Sequence, residues 1–244
     1  MSGQGDDGAS VPIVLVPGLL VTARLYVPQL PALWQHGPVM VADHTRDDTM
    51  AAIARRVLAH APARFALAGL SMGGYIALEV MRQAPERVLG LALLDTSARP
   101  DTPELRRRRQ DQVELARAGH LDEVVAQQFD ILVHRDRHGD EALADLVALM
   151  AAETGVEAFA REQQAIMSRV DSRPDLGAIG CPTLVVVGDG DELTPPPLAE
   201  ELAAGIHGAR LVVVPGAGHL STLERPDEVT AALVGWVESL SSSR

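Results

Sequence analysis

With 244 residues, the chain is long enough for one well-buried core and short for two independent ones. Apolar residues make up 47% and charged residues 22%, the balance of an ordinary globular protein and not of a disordered one. A formal net charge of −12 argues against nucleic acid as a partner, and a single cysteine, Cys181, rules out an intrachain disulfide, a multi-thiolate metal site or a Cys-x-x-Cys redox pair.

Residues 1–10 are rich in Gly, Ser and Asp and lack a basic flank leading into an apolar run, so they read as a loose tail and not as a secretory signal. Val11 to Val16 and Val39 to Ala42 are short apolar runs bounded by Pro or Gly, and each predicts a strand. Between Thr49 and Ala59, Met50, Ile53, Ala54, Val57 and Leu58 recur at helical spacing. A strand at Phe65 to Ala68, a helix at Tyr75 to Met81 and a strand at Val88 to Leu94 follow. From Arg99 to Asp175 no strand pattern appears. Amphipathic stretches at Glu104 to Arg117, Leu121 to Leu132, Glu141 to Ala152 and Val156 to Met167 fill that interval instead.

The alternation then resumes with strands at Thr183 to Val187 and Arg210 to Val214 and helices at Pro196 to Ile206 and Asp227 to Leu240. Near-continuous hydrophobicity in the strands is what burial on both faces of a parallel sheet requires. The predicted fold is therefore α/β: a mostly parallel, doubly wound sheet of about six strands with helices on both faces. Its core comprises residues 11–98 and 176–244, and residues 99–175 form an inserted helical cap. The run Arg106-Arg107-Arg108-Arg109, set among Glu104, Asp111 and Glu114, reads as a solvated helix face. No apolar run approaches the roughly 18 residues that span a bilayer, so no membrane association is expected, and the lone cysteine fits a soluble cytoplasmic protein.

Chemistry concentrates at the strand ends. Gly69-Leu70-Ser71-Met72-Gly73 lies between a predicted strand and a predicted helix, the setting of a nucleophile elbow. Small residues on either side of Ser71 let strand and helix approach, and the helix N-terminus offers unpaired N–H groups to a developing oxyanion, with Met72 N–H as one donor. A serine hydroxyl needs a base. Of the eight histidines, His219 stands in the Gly-rich loop Pro215-Gly216-Ala217-Gly218-His219 just past the last strand, the edge where open α/β sheets place their sites. The carboxylate that orients it is Asp191 in Gly188-Asp189-Gly190-Asp191, with Asp95 after the fourth strand as the competing position and Asp189 and Glu192 as neighbours. In Val16-Pro17-Gly18-Leu19-Leu20 the expected second oxyanion donor is Leu19 N–H. Leu20, Tyr26, His44 and Tyr75 are candidate substrate contacts, and Arg46 is the arginine placed best for an anionic group. His134 and His138 have a metal-compatible spacing, but the charges around them suggest a solvated surface, and no metal is expected.

These segments, Pro17-Gly18-Leu19-Leu20, Gly69 to Gly74, Gly188 to Asp191 with Pro195, and Gly216 to His219, together resemble the α/β-hydrolase superfamily and span most of the chain in that family's order. The resemblance implies esterase-like or lactonase-like acyl chemistry on a small, largely apolar ester, with no metal or organic cofactor. It implies Ser71, Asp191 and His219 as a triad, with Leu19 and Met72 as oxyanion donors. Acyl transfer, cofactor-free perhydrolysis and a non-catalytic ligand receptor remain open alternatives on the same site. One departure is Pro17 where many members carry a histidine before the glycine, which leaves the side-chain support of the oxyanion loop undefined. Oligomeric state is not legible.

Overall fold

The computed structural model describes residues 10–241; apart from Ser10 the predicted tail lies outside them, as do Ser242 and Ser243 of the Ser-rich end. The elements run β1 (Ile13–Val16), α1 (Leu30–Leu33), β2 (Val39–Val41), α2 (Met50–His60), β3 (Phe65–Leu70), α3 (Met72–Gln83) and β4 (Val88–Leu94). Four helices come next: α4 (Pro103–Leu115), α5 (Leu121–Leu132), α6 (Glu141–Thr154) and α7 (Val156–Met167). The chain ends with β5 (Thr183–Gly188), α8 (Pro196–Gly205), β6 (Arg210–Val214), α9 (Ser221–Glu224) and α10 (Pro226–Ser241).

The six strands form one parallel sheet in the order β2-β1-β3-β4-β5-β6. Successive strand residues point to opposite faces, so the apolar runs feed two cores. Phe65 and Leu67 of β3 pack with Ile53 and Val57 of α2 and Ile76 and Val80 of α3. Ala66, Ala68 and Leu70 pack on the other face with Leu233, Trp236 and Leu240 of α10. Each such aliphatic side chain taken fully from water contributes about 1.5–3 kcal/mol. Burial on both faces holds for the central strands only. The edge strands β2 and β6 are half-buried, and Val213 is 44% exposed, because an edge has a neighbour on one side alone.

Local chemistry sets the helix starts. Thr49 caps α2 by accepting the Ala52 N–H at 3.2 Å, and Asp140 caps α6 through the Leu143 N–H at 3.0 Å. The predicted helix from Glu104 to Arg117 is shorter than expected. It ends at Leu115, and a π-helical stretch, Ala116–His120, follows, with Gly119 at φ 100 in the left-handed region that glycine adopts without penalty.

The sheet order decides where a ligand meets the fold. From β1 the chain turns to β2 on one side; from β3 it turns to β4 on the other. Val16 pairs with Gly69, so the loops that follow β1 and β3 open side by side at the sheet's carboxyl edge, the crevice where open α/β sheets bind ligands.

Candidate active site

Ser71 stands between β3 and α3 with φ 56 and ψ −117, a conformation that costs an ordinary side chain about 1–3 kcal/mol. Its surroundings hold it there. The Ser71 N–H donates to Leu94 O at 2.9 Å, and Ser71 O accepts from the Thr96 hydroxyl at 2.7 Å and the Gly74 N–H at 2.9 Å. A Cβ on Gly69 would fall 2.2 Å from Gly73 O, and one on Gly73 would fall 2.0 Å from Val16 O, so only glycine lets strand and helix meet at this turn.

The loop after β1 lies against this turn: a Cβ on Gly18 would come 3.2 Å from Ser71 Cβ. Among the described residues, neither the Leu19 nor the Met72 N–H is taken by another protein group. The Leu20 N–H instead donates to Glu162 Oε2 at 3.2 Å, and Leu20 itself is held at φ 57. His44 Nε2–H donates to Gly18 O at 2.9 Å and lies 3.0 Å from Glu162 Oε1. The Tyr26 hydroxyl donates to Val16 O at 3.0 Å.

Two expected substrate contacts are thereby corrected. Tyr26 is fully buried and His44 nearly so, and neither lines the cavity described below: the Tyr26 hydroxyl and His44 Nε2 each turn to a main-chain carbonyl behind the loop. The loop after β1 is held from behind by His44, Glu162 and Tyr26. Burial opposes charging His44, but the hydrogen bond and charge of Glu162 outweigh it and hold the imidazole pKa above its ordinary value.

His219 follows β6 and Asp191 follows β5. His219 Nδ1–H donates to Asp191 Oδ2 at 2.9 Å. Asp191 Oδ1 also accepts the N–H groups of Leu193 and Thr194, each at 2.8 Å, and Oδ2 accepts the Thr194 hydroxyl at 2.7 Å. Burial opposes the imidazolium, yet the Asp191 charge outweighs it, with Asp95 and Glu224 on the same side, and the His219 pKa is raised. Burial likewise opposes the Asp191 carboxylate, but His219 and Thr194 hold its pKa below the ordinary value. Asp95, the competing carboxylate, faces elsewhere. It accepts the Gly188 N–H at 2.9 Å and the Ser221 hydroxyl, and burial, with repulsion from Asp191, pushes its pKa well up.

Sequence reasoning missed two residues that shape this site. Glu224 accepts the N–H groups of His134 at 2.7 Å, Gly218 at 2.9 Å and Leu220 at 3.2 Å, so it ties down the chain on both sides of His219. Glu162 is fully buried in α7, three residues after Phe159 and four before Ile166. A carboxylate on the apolar face of an amphipathic helix was the available signal.

Ser71, His219, Leu19, Leu20 and Tyr75 all line one cavity of about 260 Å³. Helices α4 to α7 contribute the opposite wall, through Leu105, Val125, Leu132, Val147 and Ile166 among others. Three further expectations change. Arg46 is 69% exposed and bound to Asp43, away from the cavity. The Arg106 to Arg109 run is not wholly solvated, because Arg108 and Arg109 line the cavity. His134 is buried, and its ring packs where a Cβ on Gly190 would lie.

A six-stranded parallel sheet in this order, with a strained serine after β3 and a histidine–carboxylate pair after β6 and β5, defines the α/β-hydrolase class. The chain belongs to that class by sequence as well: residues 13–232 match the model of the Alpha/beta hydrolase family. It is 29% identical to a pimeloyl-[acyl-carrier protein] methyl ester esterase of Neisseria meningitidis, over 87% of this chain and 86% of that one. Among solved structures, a thermophilic esterase from Thermogutta terrifontis superposes with a TM-score of 0.87 at 29% identity, covering 95% of this chain and 90% of that one. An enol-lactonase from Burkholderia xenovorans LB400 superposes at 0.85 with 27% identity, covering 96% and 93%.

Proposed function

We propose that this protein hydrolyses a carboxylic ester, lactone or thioester of a small, largely apolar substrate through an acyl-enzyme on Ser71. One observation carries the reading: a strained serine and a histidine already bound to its carboxylate line the same cavity. The names of the relatives, an esterase, a methyl ester esterase and an enol-lactonase, support the same bond type.

In this mechanism His219 Nε2 takes the Ser71 proton as Oγ attacks the substrate carbonyl, and Asp191 holds the other nitrogen protonated and offsets the imidazolium charge. The carbonyl oxygen, now carrying the charge, is met by the Leu19 and Met72 N–H groups; donors of this kind contribute roughly 2.7–4 kcal/mol each to the transition state. The imidazolium returns its proton to the departing alcohol or thiol. Water then attacks the acyl-enzyme with His219 as base, releasing the acid and restoring Ser71. Leu19 and Leu20, with Val125, Val147 and Ile166 from the helical insertion, provide the apolar surroundings for the acyl chain.

A panel of p-nitrophenyl esters of increasing acyl length, assayed beside Ser71→Ala, tests the proposal. Turnover that peaks at one chain length and disappears in the variant is expected. No turnover of any activated ester, or turnover that survives Ser71→Ala, would sink it.

A further inference from the structure

The cavity wall has an uneven charge. Arg99, Arg108, Arg109 and Arg169 line it and, among the described residues, no aspartate or glutamate does, in a chain whose formal net charge is −12. Three of these arginines are anchored. Arg99 makes a two-pronged contact with Glu201, both distances 2.9 Å. Arg109 and Arg169 share a single carboxylate: Arg109 Nε reaches Asp101 Oδ2 and an Arg169 terminal nitrogen reaches Asp101 Oδ1, each at 2.8 Å. Their side chains are 17% and 8% exposed, and that of Asp101 is fully buried.

One carboxylate between two guanidiniums leaves a positive charge uncompensated where water screens poorly. Arg169 is further fixed over the Tyr75 ring, 4.3 Å from its centroid, one helical turn beyond Ser71. This cluster is therefore rigid and close to the reacting end of the cavity. Arg108 is different. It is exposed and makes no hydrogen bond or ion pair among the described residues. Gln112, one turn further along α4, lines the cavity beside it and uses its carbonyl to accept from Gln163, which leaves its NH₂ group for a ligand.

We propose that the substrate carries a carboxylate on its chain and that Arg108, with Gln112, receives it at the cavity mouth within the field of the Arg109–Asp101–Arg169 cluster. The proposal rests on the ester reading above and narrows it: an apolar chain with an ester at Ser71 and an acid at the far end. A guanidinium fork matches a carboxylate in two parallel hydrogen bonds, and a cavity of about 260 Å³ suits a compact anion. Because the molecule as a whole repels anions, a preference for them would have to arise inside this cavity.

The test compares monomethyl esters of linear dicarboxylic acids, from succinate to suberate, with the dimethyl esters of the same acids. The monoesters carry the negative charge; the diesters are neutral and nearly isosteric. At one chain length the monoester is expected to have the higher kcat/KM, by about tenfold, the scale of one partly solvated charged hydrogen bond. Arg108→Gln should lower that ratio by roughly threefold or more. Arg107→Gln, which alters a residue bound to Glu104 outside the cavity, should leave the ratio unchanged. Diesters preferred at every length, or a ratio that Arg108→Gln does not lower, would overturn the proposal while leaving ester hydrolysis intact. If the wild type cleaves neither series nor any p-nitrophenyl ester, the ester reading itself falls and this inference with it.

Discussion

Asp191–His219 and Glu162–His44 are chemically the same pair and are buried alike, with side-chain exposures of 0% and 2% for the first and 0% and 3% for the second. Only His219 opens on the cavity. Asp191 is satisfied by two backbone N–H groups and a hydroxyl, which leaves His219 Nε2 free to handle a proton. His44 spends its Nε2 proton on the Gly18 carbonyl, and its partner Glu162 holds the Leu20 N–H. The first pair does chemistry in the proposed mechanism, and the second keeps the Leu19 N–H in register with it. Residue type does not separate these roles; whether the imidazole lines the cavity does.

The largest effect that probes this contrast is expected from Ser71→Ala, which should lower kcat by roughly 10⁴- to 10⁶-fold with the fold retained, measured by steady-state kinetics beside circular dichroism. Asp191→Asn should come next, at roughly 10⁴-fold in kcat. It should also move the acid limb of kcat/KM. The active imidazole is neutral and Asp191 stabilises its protonated form, so the wild-type limb lies above the ordinary value of about 6.5 and the variant's lies lower. A limb that stays in place would show that Asp191 does not face the catalytic imidazole.

Breaking the second pair should act on stability first. Glu162→Ala strands His44 and removes the acceptor of the Leu20 N–H, and loss of one partner of a buried pair costs about 3–5 kcal/mol. Denaturant unfolding should show that loss, and kcat should fall more than KM rises. The pair's contribution has a pH signature. Because the folded His44 pKa is raised, the stability it brings is complete below the unfolded value of about 6.5 and is lost as pH rises through the folded one. The stability gap between wild type and Glu162→Ala should therefore narrow between weakly acidic and alkaline buffer; a constant gap would mean that His44 is not charged in the fold. The smallest effect is Tyr26→Phe, which removes one hydrogen bond to Val16 O, about 1 kcal/mol and about 2–4 °C in Tm. KM should not change. A large rise in KM would return Tyr26 to the substrate.

The contrast also explains what the residues alone reveal. The central strands, the Ser71 turn and the placement of His219 and Asp191 were legible because each is encoded locally, by an apolar run or by glycines at short spacing. In the proposed mechanism their joint use follows from one sheet edge. A carboxylate on the apolar face of α7 singles out Glu162, but its role is not legible from that, because it depends on Leu20, 142 positions away in the chain. The Arg106 to Arg109 run reads as a solvated face because charge alone does not tell which side of α4 faces inward; Arg107 binds Glu104 at the surface while Arg109 binds Asp101 beside the cavity. His44 was placed at the correct edge but on the wrong side of the loop, a difference of orientation that strand order does not encode.

The central claim is that Ser71 Oγ is the atom acylated. Mass spectrometry of the intact wild-type protein treated with a fluorophosphonate probe, followed by peptide mapping, tests it directly. One adduct on the peptide containing Ser71, absent in Ser71→Ala, is the predicted result; an esterase-active protein left unlabelled at Ser71, or labelled elsewhere, would contradict it.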